Sequence, residues 1–391
     1  MTKIFLSGIA VFIALLSSCG QTNSSSSNNN IRSADPIKIK VGKAPGCVEI
    51  ADLNNDKIAD IVVTNEGDSS VTILMGKGNA QFEESKNSPF PAGHSVNDVA
   101  IGDFNNDGNP DLAFANHERK YLTVLSGNGR GNFTAFPNSP FPVEVIPHTH
   151  GIATGDFNKD GKLDLVTDSW GNDQVEVLFG DSSQGFKSPG TFFKVGKHPY
   201  QRVRVGDMNN DGYPDIITTN LEGDNVTVLL GDGKGKFTEA AGSPFPCGNS
   251  PFGFAVGDVN ADGKPDLAII NSPASTADRN GRNGLTVLYG DGKGKFIMMA
   301  GSPYDAGKIP NRVAIGDVNG DGVNDIVTSD NDSDQIYLFL MNKEGGVLSG
   351  SSVTVGNHPK GVAIGDLNGD GKGDIIVCNN SDNNITIITG K

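Results

Sequence analysis

The chain has 391 residues, with Gly the outstanding type at 52, and its 36% hydrophobic content is too sparse for a membrane-embedded bundle but sufficient for many small sheet cores. A formal charge of −15, with 46 acids against 31 bases, argues against a nucleic-acid partner, because phosphate binding needs a surplus of Lys and Arg. Four Cys are too few for a disulfide scaffold, so Cys47, Cys247 and Cys378 read as small buried hydrophobes.

Residues 1–18 form a signal peptide: a cationic start at Lys3, an apolar run from Ile4 to Leu16, then Ser17 and Ser18. That run is too short to span a bilayer, which needs about twenty apolar residues. Leu16-Ser17-Ser18-Cys19 looks like a bacterial lipobox, in which cleavage precedes the Cys and its sulfur receives a diacylglycerol. Residues 19–35, with Ser24 to Ser27 and Asn28 to Asn30, have nothing to bury and read as a disordered tether. Its typical reach is roughly 20 Å. The expectation is an exported lipoprotein: a monomer held by its N-terminal lipid at an outer membrane or cell surface.

From residue 36 to 391 one pattern returns seven times: V-G-x-x-P-x-x-V-A-x-G-D-x-N-x-D-G-x-x-D-[IL]-x-x-x-N, a polar loop, then V-T-V-L-x-G-x-G-x-G-x-F. Its leading aspartates, Asp52, Asp103, Asp156, Asp207, Asp258, Asp317 and Asp366, are spaced by 51, 53, 51, 51, 59 and 49 residues. Short apolar stretches bounded by turn residues, such as Val99 to Ile101, Asp111 to Ala115 and Leu122 to Leu125, predict strands, and no stretch sustains a helical period. Four short strands in each unit of about fifty residues predict an all-β, seven-bladed β-propeller. The seventh unit stops at Ile385 to Ile388 without a final strand, whereas Ile37 to Val41 is a strand with no blade before it. The N-terminal strand is therefore expected to close the last blade and remove the open sheet edges.

The segment between first and second strands carries oxygen-bearing side chains at positions 1, 3, 5 and 9 and, in most units, Gly at position 6 for a sharp turn. The candidate ligands are Asp52, Asn54, Asp56 and Asp60; Asp103, Asn105, Asp107 and Asp111; Asp156, Asn158, Asp160 and Asp164; Asp207, Asn209, Asp211 and Asp215; Asp258, Asn260, Asp262 and Asp266; Asp317, Asn319, Asp321 and Asp325; and Asp366, Asn368, Asp370 and Asp374. With no His or Cys among them, they suit Ca2+ rather than zinc, at up to seven sites, and seven dications would offset most of the −15. Lys57 replaces Gly in the first loop, which is expected to bind most weakly.

At these residues the chain resembles the FG-GAP or VCBS repeat family, which includes the head of integrin α subunits and bacterial lectins, lyases and adhesins. The resemblance implies a seven-bladed propeller with calcium in the loop joining the first two strands of a blade. The S-P-F-P segments show a weaker similarity to a lactonase-like propeller group that lacks the D-x-N-x-D-G insertion.

Opposite the calcium loops, counting back from each leading aspartate places Asp98, His148, His150, Arg202, Arg312 and Lys360 at the mouth of the channel, with His198 and His358 just upstream. Arg202 and Arg312 are candidate forked donors, and Trp170, Tyr200 and Phe252 candidate stacking surfaces, for an anionic or polyhydroxylated ligand. The linear spacing offers His148 and His150 neither a third His nor a carboxylate, which favours ordinary surface histidines. An insertion from Asn271 through Gly284 adds Arg279 and Arg282, expected to reach over the same mouth. No nucleophile elbow, Walker loop or H-E-x-x-H motif occurs. The function expected is a membrane-anchored binding or adhesion module for a protein or glycan; the alternative is a polysaccharide- or lactone-acting lyase or hydrolase at the channel mouth.

Overall fold

A computed structural model of the protein describes residues 35–181, 185–272 and 283–390. The signal peptide, Cys19 and most of the tether lie outside the described residues, as do Arg279 and Arg282. Within the described chain the seven expected blades are present, each a four-stranded antiparallel sheet, three of them extended by a short extra strand. One 3-10 turn, Trp170–Asn172, interrupts an otherwise all-β structure among the described residues.

The innermost strands are Pro45–Ala51, Val96–Gly102, Ile152–Gly155, Pro199–Gly206, Pro251–Gly257, Pro310–Gly316 and Pro359–Gly365. Each neighbours the next and the last neighbours the first, so together they ring the channel. The ring is closed as the sequence leads one to expect: Ile37–Lys40 pairs antiparallel with Asn384–Ile388, in the register Ile37↔Ile387 to Lys40↔Asn384.

The core lies between blades. Val62, Ile73 and Met75 of the first blade meet Val99, Leu112 and Phe114 of the second, and equivalent clusters follow around the ring. Both faces of each sheet are thus covered, which is why second strands such as Asp60–Asn65 and Asp215–Asn220 are buried along their whole length. Burying both faces requires that the polar repeat positions find partners inside the sheet. The Asn that ends the second strand does so on the Thr of V-T-V-L: Asn65 Nδ2 donates to Thr72 Oγ1 at 3.0 Å and Asn220 Nδ2 to Thr227 Oγ1 at 2.9 Å. In S-P-F-P the Ser plays a similar part, with Ser88 Oγ accepting from Ile73 N and Ser139 Oγ from Val124 N. Cys47, Cys247 and Cys378 are buried free thiols; burial pushes the Cys47 thiol up to about 12.

Candidate functional site

At one end of the ring lie the loops between first and second strands. In the third blade Asp156 accepts from Asp160 N at 3.1 Å and from Gly161 N at 3.0 Å, Asn158 Oδ1 accepts from Asp160 N, and Asp160 Oδ1 accepts from Lys162 N. Positions 1, 3 and 5 therefore share one tight turn. Gly161 has φ +81°, and a Cβ there would meet no atom within 4 Å, so backbone conformation rather than space calls for glycine. Lys57 adopts the same left-handed region at φ 68°, and its amide still reaches Asp52 Oδ2 at 2.8 Å. The first loop therefore forms despite the substitution.

The aspartate at position 9 behaves differently. Asp164 is fully buried and accepts from Phe157 N at 2.9 Å and from Gly180 N at 2.8 Å, tying the loop to the far end of the third strand. The same two bonds recur in every blade, at Asp60, Asp111, Asp215, Asp266, Asp325 and Asp374. Position 2 of each loop, for instance Phe104 or Phe157, is buried beside it. Position 9 thus has a structural role of its own, which linear reading did not separate from metal binding. Burial, only partly opposed by those amides, raises Asp164 to about 6 and Asp325 to about 7.

The loop donors are all oxygen, and each oxygen of Asp160 and Asp164 accepts one hydrogen bond and keeps a second lone pair. Their chemistry fits a hard cation. Among the described residues, groups of three His, Cys, Asp or Glu whose ligand atoms all fall within 4.8 Å of one another are His117, His148, His150 and Cys47, Glu49, Asp98; the loop carboxylates stand wider apart. Opposite oxygens around Ca2+, at 2.3–2.6 Å from the ion, are themselves about 5 Å apart.

At the channel mouth a cavity of about 170 Å³ is lined by Arg312, Lys360, Glu66, His117, Tyr200 and Phe252, among others. Lys360 pairs with Glu66 at 2.7 Å. Arg312 is 4% exposed; its Nη2 donates to Gln201 Oε1 at 2.9 Å, while Nε and Nη1 have no partner. Burial, and then the charge of Arg202, pulls its pKa down to about 10, which leaves it charged at neutral pH. Its guanidinium lies 5.9 Å from the centroid of the Phe252 ring.

Arg202 and Asp98 do not join this cavity as free groups. Arg202 Nη1 meets Asp98 Oδ1 at 2.5 Å, Arg204 Nη1 approaches Asp98 Oδ2 at 3.3 Å, and Cys47 Sγ lies 3.5 Å from both Asp98 Oδ1 and Arg202 Nη2. Asp98 is fully buried and Arg202 nearly so, and Asp98 Oδ2 also accepts from Ile152 N at 3.3 Å. The expectation of Arg202 as a forked ligand donor is therefore corrected to a structural pair inside the ring.

The histidines also differ from the surface pair expected. His150 is fully buried, and His148 Nε2 stands 3.3 Å from His150 Nε2. His117, from the neighbouring blade, completes the group, its ring centroid 4.5 Å from that of His148. Burial, followed by the proximity of His150, holds His148 down to about 4 and lowers His117. Trp170 packs against both His148 and His150 and stacks on His198 at 4.4 Å and 10°. His117 and Glu66 occupy the same repeat position as Trp170, directly after the residue that ends the second strand. Variation at that position between blades was the signal available for finding them.

Comparison with known proteins follows from this geometry. The model of the FG-GAP-like repeat matches residues 52–114, 103–167, 207–269 and 317–377, more than half of the chain. Cartilage acidic protein 1 of Xenopus tropicalis is 25% identical over 189 residues, 44% of this chain, and the chain spans only 28% of that protein's length. Among solved structures, BBS1N in complex with ARL6DN aligns with a TM-score of 0.58 at 12% identity over 91% of this chain and 96% of that one. Virginiamycin B lyase from Staphylococcus aureus aligns with a TM-score of 0.54 at 12% identity, over 91% and 99%. These two likenesses are of fold alone. With seven blades of one repeat and four matches to its model, the chain belongs to the FG-GAP-like repeat family.

Proposed function

We propose that the protein is a calcium-stabilised binding module, exported and lipid-anchored through Cys19, whose channel-mouth cavity takes an anionic or polyhydroxylated group of a protein or glycan. The observation that carries this reading is Arg312: a buried guanidinium with Nε and Nη1 unpartnered, in a cavity that also holds the Lys360–Glu66 pair and the rings of Tyr200 and Phe252. Buried polar groups are nearly always paired, so donors left open beside a cavity suit an acceptor brought by a ligand. Tyr200 and Phe252 offer apolar faces on which a sugar ring or planar group would rest.

Calcium would be held by positions 1, 3 and 5 of each loop, with position 9 beneath them. Bound only to the folded state, it would stabilise the ring by mass action and screen carboxylates that otherwise repel one another. The loops stand at the opposite end from the cavity, so calcium is assigned to stability and the mouth to recognition.

A glycan and protein array probed with the full chain, with and without Ca2+, tests this reading. Binding to a defined class of anionic or polyhydroxylated ligand, reduced at least about tenfold by Arg312→Met, is the expected result. Equal binding by Arg312→Met and the parent would place recognition elsewhere.

A further inference from the structure

The imidazole cluster at the boundary of the second and third blades has the construction of a metal site. His117 directly follows the second strand Asp111–Asn116 of one blade, while His148 and His150 precede the innermost strand Ile152–Gly155 of the next. The two segments are locked together by Thr149, whose Oγ1 accepts from Asn116 N at 2.9 Å and donates to Asn116 O at 3.1 Å. That pair of hydrogen bonds to the residue before His117 presents the three rings to one another. Their ligand atoms all lie within 4.8 Å of each other.

Two further observations distinguish this group from histidines that merely pack. Nitrogens bound at 2.0–2.1 Å to one tetrahedral ion are about 3.3–3.4 Å apart; His148 Nε2 and His150 Nε2 are 3.3 Å apart. Behind His150, Asp168 is fixed through Oδ1 by the amides of His150 at 3.0 Å and Gly151 at 2.5 Å, and its Oδ2 faces His150 Nδ1 at 3.4 Å. Both His150 and Asp168 are fully buried, and neither His150 Nδ1 nor Asp168 Oδ2 has a hydrogen-bond partner elsewhere or in proper alignment with the other. A carboxylate behind an imidazole favours the proton on the nitrogen facing it, which leaves the Nε2 lone pair turned toward the cluster.

We infer that His117, His148 and His150 bind a zinc-class divalent transition metal, with Asp168 as the carboxylate that orients His150. The ligand set is all imidazole, unlike the all-oxygen loops at the other end of the ring, so the two ends select different ions. Three protein ligands leave a fourth coordination position for water or an incoming donor. His117 also lines the mouth cavity, so an ion held by the triad borders the space that Arg312 enters.

The test uses the full chain, stripped with chelator, returned to excess Ca2+ to fill the oxygen loops, and titrated with Zn2+ by calorimetry and with Co2+ by visible absorption. One equivalent of Zn2+ and a tetrahedral Co2+ spectrum are expected. His117→Ala, chosen because His117 is only half-buried, and His148→Ala should each weaken Zn2+ binding at least about tenfold and abolish the Co2+ spectrum. Asp168→Asn should keep the stoichiometry and weaken affinity by about 10–100-fold. Melting curves in Ca2+ identify any variant that fails to fold, and His117→Gln then replaces it. Absence of Zn2+ uptake by the parent chain would reduce the 3.3 Å contact to a hydrogen bond between imidazoles. Uptake unchanged in the His117 and His148 variants would place the ion among the carboxylates; either result overturns the site.

Discussion

Arg202 Nη1 lies 2.5 Å from Asp98 Oδ1, joining the fourth and second innermost strands across the ring. Both groups are buried, so removing Asp98 leaves Arg202 and Arg204 facing Glu49 alone, at 3.9 Å from each. Asp98→Ala is expected to destabilise the protein by about 3–5 kcal/mol, while the double variant Asp98→Ala with Arg202→Met should be less destabilised than Asp98→Ala alone. Urea unfolding of the parent, the two single variants and the double variant checks the cycle. Additive losses would show that the pair contributes nothing as a pair.

The buried position-9 carboxylates give the metal-free protein a defined response to pH. Burial raises Asp111, Asp164, Asp215 and Asp266 to about 6 and Asp325 to about 7, against an ordinary value of 3.8. Between those values the folded chain holds more protons than the unfolded one, so this contribution is full below 3.8 and is lost as pH climbs through 6 and 7. In chelator, the melting temperature should therefore fall by about 5 °C or more from pH 5 to pH 8. Saturating Ca2+ should remove or reverse that trend, because it binds the ionised form. A melting temperature in chelator that rises over this interval would contradict the assignment.

Glycine at position 6 is tested independently of metal by exchanging it with Lys57. Gly161→Ala meets no steric obstacle but places a Cβ at φ +81°, and should cost about 1–2 kcal/mol. Lys57→Gly relieves the same conformation at φ 68° and should stabilise by about 1 kcal/mol. It also removes a cation from the first loop, so Ca2+ affinity there should rise. Chelator titration of the parent and Lys57→Gly proteins, followed by the number of ions retained, reads this directly.

The proposed anchoring can be tested apart from the fold. Cys19→Ala should leave the melting curve unchanged while moving the protein from the detergent phase to the aqueous phase on fractionation, since the acyl chains it would lose contribute about 0.8 kcal/mol per buried CH2. Retention in the detergent phase would refute lipidation at Cys19.

The propeller was legible in the sequence because the blades repeat one solution: Asp at position 9 in all seven, and in five of them Asn at the end of the second strand with Thr in the third, where the fold needs buried partners for backbone and side chain. Closure could be read as well, since an orphan strand at one end matched a missing strand at the other. The channel mouth resisted the same treatment. His117 lies 31 residues before His148, and the Thr149–Asn116 lock between blades brings them together. Asp98 and Arg202, assigned to the mouth by counting from the leading aspartates, face each other across the ring instead, a pairing 104 residues long that no local pattern encodes. Repetition reveals what each blade must do for itself; contacts between unlike blades leave no periodic trace.

The outermost strand of the seventh blade, Ile37–Lys40, is also the first strand of the described chain, and four residue pairs join it to Asn384–Ile388. Were the chain held through the proposed lipid at Cys19, a pull on the folded part would enter at that strand. That short ladder would then act as a mechanical fuse: load from upstream of Ile37 would peel one strand from the last blade before it reached the interblade cores or the loops. Under such a pull, the contacts tested first would be the four residue pairs between the two ends of the propeller.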